Sequence, residues 1–285
     1  MLKNSTVRNC INAWYILKFR MMKKQYGLNN TKREREIVVS LTSFPARMDK
    51  IHLCIRSLLM QNMKPDRIVI YLGDKEFEGI ALPETLTELF QYGVEVRFRK
   101  DLKPHTKYFY AMQEFPDALI VTVDDDIYYR PDLIKVLYRA HEQHPDCVVC
   151  TRAHKMLFEN GVLLPYNSWD YETKCVNQES HLLMATGVGG VLYDPKLFHK
   201  ELFDEKAIEE LTLKQDDVWL KFMEILSGIK VFAVPASKTK YLVGIWGSEK
   251  TTLNSQNVGQ NKNDVYISNV MNHCNIRSSD LEELK

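Results

Sequence analysis

Three consecutive acidic residues, Asp124, Asp125 and Asp126, are the most chemically distinctive feature of the sequence. They directly follow the apolar run 119–123, which is typical of a buried strand. Open α/β sheets bind ligands beyond the carboxyl ends of their strands, so these acids stand where a ligand would bind. Adjacent carboxylates repel one another, and Mg²⁺ or Mn²⁺ prefers hard oxygen ligands. The run therefore predicts a divalent cation site that can hold a diphosphate.

Alternate residues of an extended segment point to the same side. On this ground Asp124 and Asp126 are the predicted metal ligands. The alternative interpretation is an acidic turn and helix cap before Pro131 and Asp132, although an ordinary cap uses one acid and not three.

A second acidic pair, Asp216 and Asp217, opens a helix predicted over residues 216–226. One acid can cap such a helix, and an acid in the first turn is favoured by the helix dipole. Two acids exceed what capping requires, which favours a chemical role for the pair.

A glycine-containing segment, Thr186-Gly187-Val188-Gly189-Gly190, lies between apolar flanks that read as strands. Its glycines predict close backbone approach to a sugar or diphosphate. The segment lacks the context of a P-loop or of a dinucleotide fingerprint. A bulge without ligand contacts is the alternative.

Alternating strands and helices must position these residues. The pattern predicts strands at 37–41, 67–72, 94–98, 118–123, 147–150 and 230–234, and helices at 48–61, 83–90, 107–115, 132–141 and 216–226. With 285 residues, 45% apolar and 26% charged, the composition excludes disorder and coiled coil. We therefore expect an α/β fold with a doubly wound mixed sheet flanked by helices, forming a single main domain over residues 36–250.

Four motifs in one order resemble those of the GT-A class of nucleotide-sugar glycosyltransferases. They are similar to bacterial surface-polysaccharide glycosyltransferases and, more distantly, to the exostosin-like catalytic domain. The resemblance spans about residues 36–234. The motifs are residues 40–47, 123–129, 186–193 and 216–219.

The resemblance implies a role for each matching residue. It places the donor nucleotide on Thr42, Ser43, Phe44, Arg47, Lys107, Asp124 and Asp125, with Asp125 at the ribose or in a supporting contact. It places the transferred sugar and the acceptor near Thr186, Gly187, Gly189 and Gly190. Trp246 lies outside the matching motifs, and as an aromatic residue in a late loop it could stack on the sugar, with a structural role as the alternative. Asp217, with Asp216 as the second choice, is implied as general base if the enzyme inverts configuration, or as a residue that orients the acceptor if it retains it.

The implied activity is metal-dependent sugar transfer, with Mn²⁺ or Mg²⁺, from a nucleotide diphosphate donor, most simply a UDP-sugar. The implied acceptor is a glycan or a lipid-linked saccharide in surface polysaccharide synthesis. One alternative is a sugar-phosphate nucleotidyltransferase, but such an enzyme needs a glycine-rich loop after the first strand, and residues 41–47 contain no glycine. The other is a non-catalytic glycan- or nucleotide-binding protein, which two intact acidic motifs disfavour.

The N-terminal segment 1–35 differs in charge from the rest of the chain. It contains nine basic residues and one acid, a net charge of +8, so the remaining residues carry 1 − 8 = −7. An acidic body disfavours nucleic acid as a partner. On a helical wheel an apolar stripe lies opposite most of the basic residues. The residues of the stripe are Ile11, Trp14, Tyr15, Leu17, Met21 and Met22. Residues 1–26 therefore predict either docking on an anionic membrane surface or packing on the domain itself.

The sequence also bears on the compartment. It contains neither an apolar run of the roughly 18 to 20 residues that span a bilayer nor a recognisable secretory signal. Its six scattered cysteines are typical of reduced thiols. We expect a cytoplasmic protein, peripheral on the inner face of the cell membrane if the N-terminal helix docks there, with residues 251–285 as a tail over the cleft.

Overall fold

The computed structural model describes residues 5–21, 26–174, 176–235, 242–247 and 262–284. The strands in these ranges are β1 Ile37–Ser43, β2 Arg67–Gly73, β3 Val94–Arg99, β4 Leu119–Thr122, β5 Ile127–Tyr128, β6 Cys147–Cys150, β7 Ala153–Lys155, β8 Phe158–Glu159, β9 Val162–Leu163, β10 Glu179–Ser180, β11 Leu183–Ala185, β12 Val191–Tyr193, β13 Lys230–Ala233 and β14 Val243–Gly244. The α-helices are α1 Ser5–Met21, α2 Met48–Leu59, α3 Glu84–Thr87, α4 Thr106–Glu114, α5 Leu133–Gln143, α6 Glu205–Ala207, α7 Asp216–Leu226, α8 Lys262–His273 and α9 Ser278–Glu282.

The chain forms two compact units. The first unit comprises Met1–Asp101, Thr106–Val136 and Thr239–Thr251, and the second comprises Leu102–His105, Leu137–Lys238 and Thr252–Lys285. Within the first unit, parallel strands lie in the order β4-β1-β2-β3. Their carboxyl ends therefore meet at one edge of the sheet, and the acidic run follows β4 at that edge.

The sequence explains the central position of β1. All but one of its residues are buried, because a parallel strand between two others is covered on both faces. Its first three residues are apolar, and the buried Ser40 hydroxyl is satisfied by a hydrogen bond to a backbone carbonyl. Val39 pairs with Val121 of β4 on one side and with Ile68 of β2 on the other. This register places Ser43, the last residue of β1, close to the acids that follow β4.

The second unit carries a mixed group of strands. They lie in the order β10-β13-β6-β12, in which β13 and β6 are parallel and the outer two pairings are antiparallel. Helix α7 is buried along most of its length and packs against β11. A mostly parallel, mixed α/β architecture with flanking helices confirms the predicted fold class.

Most predicted elements are present within a few residues of the expected bounds. The region 83–90 differs, because Pro83 precedes the helix in an extended conformation and α3 ends at Thr87, where a 3₁₀ segment takes over to Tyr92. Of the predicted C-terminal tail, residues 251–261 and 285 lie outside the described residues. Residues 262–284 form helices α8 and α9 in the second unit.

Helix α1 packs on the first unit with only part of its predicted apolar stripe. Tyr15 is buried and its ring stacks on Tyr128 with centroids 4.4 Å apart. Phe19 is buried beside it, and so is the polar residue Asn12. Trp14 and other members of the stripe face outward, so the single apolar face predicted by the wheel is wrong. The packing on the domain, one of the two predicted alternatives, is present.

Candidate active site

The acidic run lies where the carboxyl ends of β1 and β4 meet. Asp125 is buried, and its carboxylate accepts hydrogen bonds from the Ser43 hydroxyl and from the Arg47 guanidinium. Burial raises the pKa of Asp125, and Arg47 and Ser43 act against that shift. A buried carboxylate with this many partners is a fixed part of the site, so Asp125 aligns Ser43 and Arg47 with each other.

Asp124 faces a different cation. Its Oδ1 accepts a hydrogen bond from Lys107 Nζ at 2.8 Å, and Lys107 is buried in the first turn of α4. The Ser40 hydroxyl in β1 donates to the Lys107 carbonyl, which fixes the start of α4 against the strand. The acidic strand end and Lys107, both predicted from the sequence, are therefore in direct contact.

Asp126 is the acid least compensated by a cation. Its Oδ2 lies 3.1 Å from the second guanidinium nitrogen of Arg47, and its carbonyl accepts a hydrogen bond from the backbone of Ile245. Burial, with the negative charges of Asp124 and Asp125, raises the pKa of the Asp126 carboxyl to about 7, although Arg47 opposes the shift. Among the described residues, Asp125 and Asp126 share the single guanidinium of Arg47, whereas Asp124 pairs with Lys107.

The backbone at the three acids is not the extended segment from which Asp124 and Asp126 were predicted as metal ligands. Asp125 and Asp126 lie in a turn, so the alternation of an extended segment does not continue past Asp124. Asp124 faces Lys107, whereas Asp126 faces Arg47. The assignment of Asp124 and Asp126 as metal ligands stays a prediction.

The chemistry of the cluster nevertheless fits a divalent cation. Within the described ranges, no three or more His, Cys, Asp or Glu side chains converge as a metal site. The acids, however, offer hard carboxylate oxygens, and burial disfavours the ionised form of Asp126. A divalent cation would stabilise that ionised form, and such oxygens suit Mg²⁺ or Mn²⁺.

The remaining predicted nucleotide contacts surround Arg47. Its guanidinium carbon lies 5.1 Å from the centroid of the Phe44 ring, and the nearby acid charges raise the pKa of Arg47 against the effect of burial. The hydroxyl of Thr42 donates a hydrogen bond to the Tyr71 carbonyl in the neighbouring strand β2 at 2.9 Å. Arg47 itself already pairs with two carboxylates, Asp125 and Asp126. A bound phosphate would be a further partner of its guanidinium.

A small cleft opens beside these groups, and it contains a lysine that the sequence analysis missed. Lys50 lines it together with Ala46, Arg47, Asp125, Asp126, Ile245 and Gly247. Arg47 and Lys50 are one helical turn apart, a spacing that could have revealed the shared face. Gly247 has φ +78°, and a Cβ there would lie 2.7 Å from Lys50 Nζ. The positive φ favours glycine at this position, and the absence of a side chain leaves room for the end of the Lys50 side chain.

Trp246 belongs to the first unit, beside this cleft. Its side chain is 65% exposed, and its backbone nitrogen donates to the Asn12 side chain at 3.0 Å. An exposed indole next to a charged cleft can stack on a sugar. The other predicted sugar and acceptor residues belong to the second unit.

In the second unit, Asp217 and the glycine segment are in direct contact. The Asp217 carboxylate accepts a hydrogen bond from the Gly187 backbone at 3.0 Å, while Asp216 is buried as the first residue of α7. Gln215, and not Asp216, is the N-cap residue, and its side chain makes no capping hydrogen bond. The capping role considered for Asp216 is therefore wrong.

Contacts and backbone conformation within the protein explain why two positions of this segment are glycine. A Cβ at Gly189 would lie 2.7 Å from Thr151 Oγ1 and 2.9 Å from Arg152 Cβ. Gly190 has φ +85°, a conformation that disfavours other residues. The close approach at Gly189 is to this chain's own Thr151 and Arg152, and a ligand contact by the segment stays a prediction.

Arg152 is a second residue that the sequence analysis missed. It donates to the hydroxyl of Thr186 at 2.7 Å and to Glu172 at 3.1 Å. It follows β6, so its position just beyond the carboxyl end of a predicted strand was the available signal. Arg152 and Asp217 therefore place charged side chains against the start of the glycine segment, at Thr186 and Gly187.

Comparison with protein-family profiles shows which family the chain belongs to. A profile described as "Glycosyl transferase family 2" matches residues 46–205, which include Arg47, Lys107, the acidic run and the glycine segment. The match covers more than half of the chain. This protein is a member of glycosyl transferase family 2. The predicted enzyme class, glycosyltransferase, is thereby confirmed.

This family 2 protein is similar to solved structures at low sequence identity. Glucosyl-3-phosphoglycerate synthase from Mycobacterium tuberculosis, in complex with Mn²⁺, UDP and glucosyl-3-phosphoglycerate, has a TM-score of 0.50 at 11% identity, with 88% of each chain covered. TarS residues 1–349 from S. aureus, in complex with UDP-GlcNAc, has a TM-score of 0.44 at 15% identity, covering 70% of this chain and 56% of that one. Comparison with curated proteins gives no match. No helix among the described residues is long and apolar enough to cross a membrane.

Proposed function

We propose that this glycosyltransferase moves a sugar from a nucleoside diphosphate donor, most simply a UDP-sugar, to a hydroxyl group of a glycan or lipid-linked saccharide in surface polysaccharide synthesis. The observation that carries the proposal is the ion-paired cluster of Asp124, Asp125 and Asp126 with Arg47 and Lys107 at the ends of β1 and β4. Family membership supports sugar transfer over nucleotidyl transfer or simple ligand binding. The Mn²⁺ and UDP bound to the mycobacterial synthase agree with the proposed donor and cofactor.

On the donor side, each residue has a distinct part. Asp124 and Asp126 would hold Mn²⁺ or Mg²⁺, which when bound neutralises the charge of the diphosphate leaving group. Arg47, fixed by Asp125, offers a forked donor to a phosphate. Phe44 and Ser43 flank this group at the end of β1, where the nucleotide would lie.

On the acceptor side, Asp217 is the proposed proton acceptor. The acceptor oxygen forms a bond to the anomeric carbon, the bond from that carbon to the diphosphate breaks, and the hydroxyl proton passes to the Asp217 carboxylate. This assignment applies to an inverting reaction. In a retaining reaction Asp217 orients the acceptor, and product configuration distinguishes the two cases.

A lipid-linked acceptor lies at a membrane. The proposal therefore includes residence in the cytoplasm and peripheral attachment to the inner, anionic face of the cell membrane through residues 1–26, which contain six basic residues and no acid.

The test is binding of UDP and UDP-sugars, measured by thermal shift with and without Mn²⁺. We expect stabilisation by about 2.7 kcal/mol at 100 times the dissociation constant, with metal present. Asp126→Asn should abolish the metal-dependent part, whereas Asp74→Asn, at an exposed acid outside the cluster, should not change it. Equal UDP binding with and without metal in all three proteins would reject the metal site. Release of pyrophosphate in place of UDP during turnover would reject sugar transfer.

A further inference from the structure

Helix α1 has an exposed apolar stripe on the side opposite to its buried face. The stripe consists of Cys10, Trp14, Leu17 and Met21, and the last three are 53%, 54% and 70% exposed. Steps of four, three and four residues place these side chains in one row along the helix. Packing against the first unit uses the opposite side, so the packing of the helix does not explain this row.

The buried face of α1 makes specific contacts of its own. Tyr15 stacks on Tyr128 of β5, and the Asn12 side chain bonds to the Gly244 carbonyl at 3.3 Å and to the Trp246 backbone at 3.0 Å. The helix is therefore held in place by this face. The outward row is then presented at a fixed orientation.

Positive charge lies on both sides of the stripe. Lys18 and Arg20 flank it, and Lys18 Nζ lies 4.7 Å from the centroid of the Trp14 ring. Residues 1–26 contain six basic residues and no acid. A cationic border around exposed Trp, Leu and Met is the pattern of a helix that lies in the interface of an anionic bilayer.

The same charges disfavour a second copy of the chain as the occupant. Spacing of four, three and four also suits a coiled-coil seam, in which the flanking positions of the two helices face each other. Here both flanking residues, Lys18 and Arg20, are cationic, so pairing would place like charges opposite one another. Anionic headgroups instead complement them.

We propose that the stripe Cys10, Trp14, Leu17 and Met21, bordered by Lys18 and Arg20, docks on an anionic lipid surface with α1 parallel to the membrane plane. The inference deepens the membrane attachment included in the proposed function by naming the side chains that enter the lipid. It rests on that attachment, and not on the chemistry of sugar transfer.

The experiment is co-sedimentation of the full chain with vesicles of phosphatidylcholine and phosphatidylglycerol, compared with phosphatidylcholine alone. We expect binding to the anionic vesicles that weakens as salt increases. Trp14→Ser with Leu17→Ser should lower that affinity by about tenfold or more, because two side chains no longer bury apolar surface in lipid. Ile16→Ser changes an exposed apolar residue of the same helix outside the stripe and should leave binding unchanged.

Each remaining outcome decides against the proposal. Lack of wild-type binding to anionic vesicles, equal binding to both vesicle types, or equal losses in the stripe and Ile16 variants would overturn it. A dimer in analytical ultracentrifugation that the stripe variant dissociates would identify a second copy as the occupant. Circular dichroism and thermal unfolding confirm that the variants are folded. No sugar donor is present, so a negative vesicle result leaves the proposed transfer reaction standing.

Discussion

Individual side chains in this protein are set by their charged or polar partners. Arg47 faces both Asp125 and Asp126, Lys107 faces Asp124, and Asp217 accepts the Gly187 backbone N–H. The partners restrict the rotamers of these groups before any substrate binds. Such preorganisation is what electrostatic catalysis requires.

The proposed role of Asp217 leads to a kinetic prediction. Asp217→Asn keeps an oxygen that can accept the Gly187 N–H but removes the proton acceptor. Turnover should fall by 10² to 10⁴, or about 3 to 5 kcal/mol of activation free energy, while metal-dependent UDP affinity persists. Steady-state kinetics with a soluble acceptor measures the first quantity and thermal shift the second. A loss of less than about tenfold in turnover would reject the role of general base.

His154 leads to a prediction about pH. It is buried, its Nδ1 accepts a hydrogen bond from the Glu172 backbone, and burial, assisted by the charge of Arg152, lowers its pKa from 6.5 to about 4. Between these values the unfolded chain binds more protons at this residue than the folded chain. The contribution of His154 to stability is therefore complete above about pH 6.5 and is lost as pH falls towards 4, by about 3 kcal/mol in total.

The measurement is the free energy of unfolding by denaturant between pH 4 and pH 7. His154→Gln should flatten this dependence, whereas His199→Gln, at an exposed histidine, should not. An equally steep pH dependence in the His154 variant would show that another group is responsible.

At the level of elements, the acidic run is positioned by two segments distant in sequence. Strand β14 pairs with β5, and Ile245 donates a backbone hydrogen bond to the Asp126 carbonyl. Helix α1 in turn contacts the end of β14 at Gly244 and the following Trp246 through the Asn12 side chain. The N-terminal helix thus supports the turn that carries Asp126.

This chain of contacts predicts an effect of Asn12 on both stability and binding. Asn12→Ala would remove the hydrogen bonds to the Gly244 carbonyl and the Trp246 backbone nitrogen, at a cost of about 0.5 to 1.5 kcal/mol for each in the free energy of unfolding. We also expect a several-fold loss of UDP affinity, because the turn at Asp126 loses support. Asn9→Ala is the matched control, an exposed asparagine on the same helix. Equal stability and equal UDP affinity in the two variants would contradict the prediction.

At the scale of the whole molecule, residues 1–35 are basic and the remainder of the chain is acidic. The helix in this basic segment, α1, is also part of the first unit. Tyr15 and Phe19 are both buried and both pack near Tyr128. The helix therefore serves the fold through one face, while its outward face is available for docking.

Removing α1 tests this dual role. A chain starting after Met21 loses the burial of Tyr15 and Phe19, so we expect a decrease of about 3 to 6 kcal/mol in the free energy of unfolding. Calorimetry or denaturant unfolding measures the change. The Trp14→Ser, Leu17→Ser variant is the control, because its altered side chains are exposed and its stability should be close to that of the unmodified chain. An unchanged unfolding transition after the deletion would mean that α1 contributes nothing to the fold.

Much of the fold and part of the site followed from local pattern. The buried strands β1 and β4 are visible in the sequence because each begins with three consecutive apolar residues, as is typical of a parallel strand covered on both faces. The position of the acids after β4 followed from the rule that ligand-binding residues gather at the carboxyl ends of such strands. Lys107 was implied by the family resemblance, and its contact with Asp124 is a finding of the structure.

Tertiary structure alone decided the partners. Sequence periodicity could not show that Arg47 holds Asp125 and Asp126, that Gly189 is required by Thr151, or that Asn12 is a buried residue of α1. It could not divide the stripe of α1 into an inward Tyr15 and an outward Trp14, because both lie on the apolar arc of the wheel. The physical reason is that periodicity reports the local geometry of one element. Hydrogen bonds, ion pairs and close packing join residues far apart in the chain, and only the folded arrangement determines which groups meet.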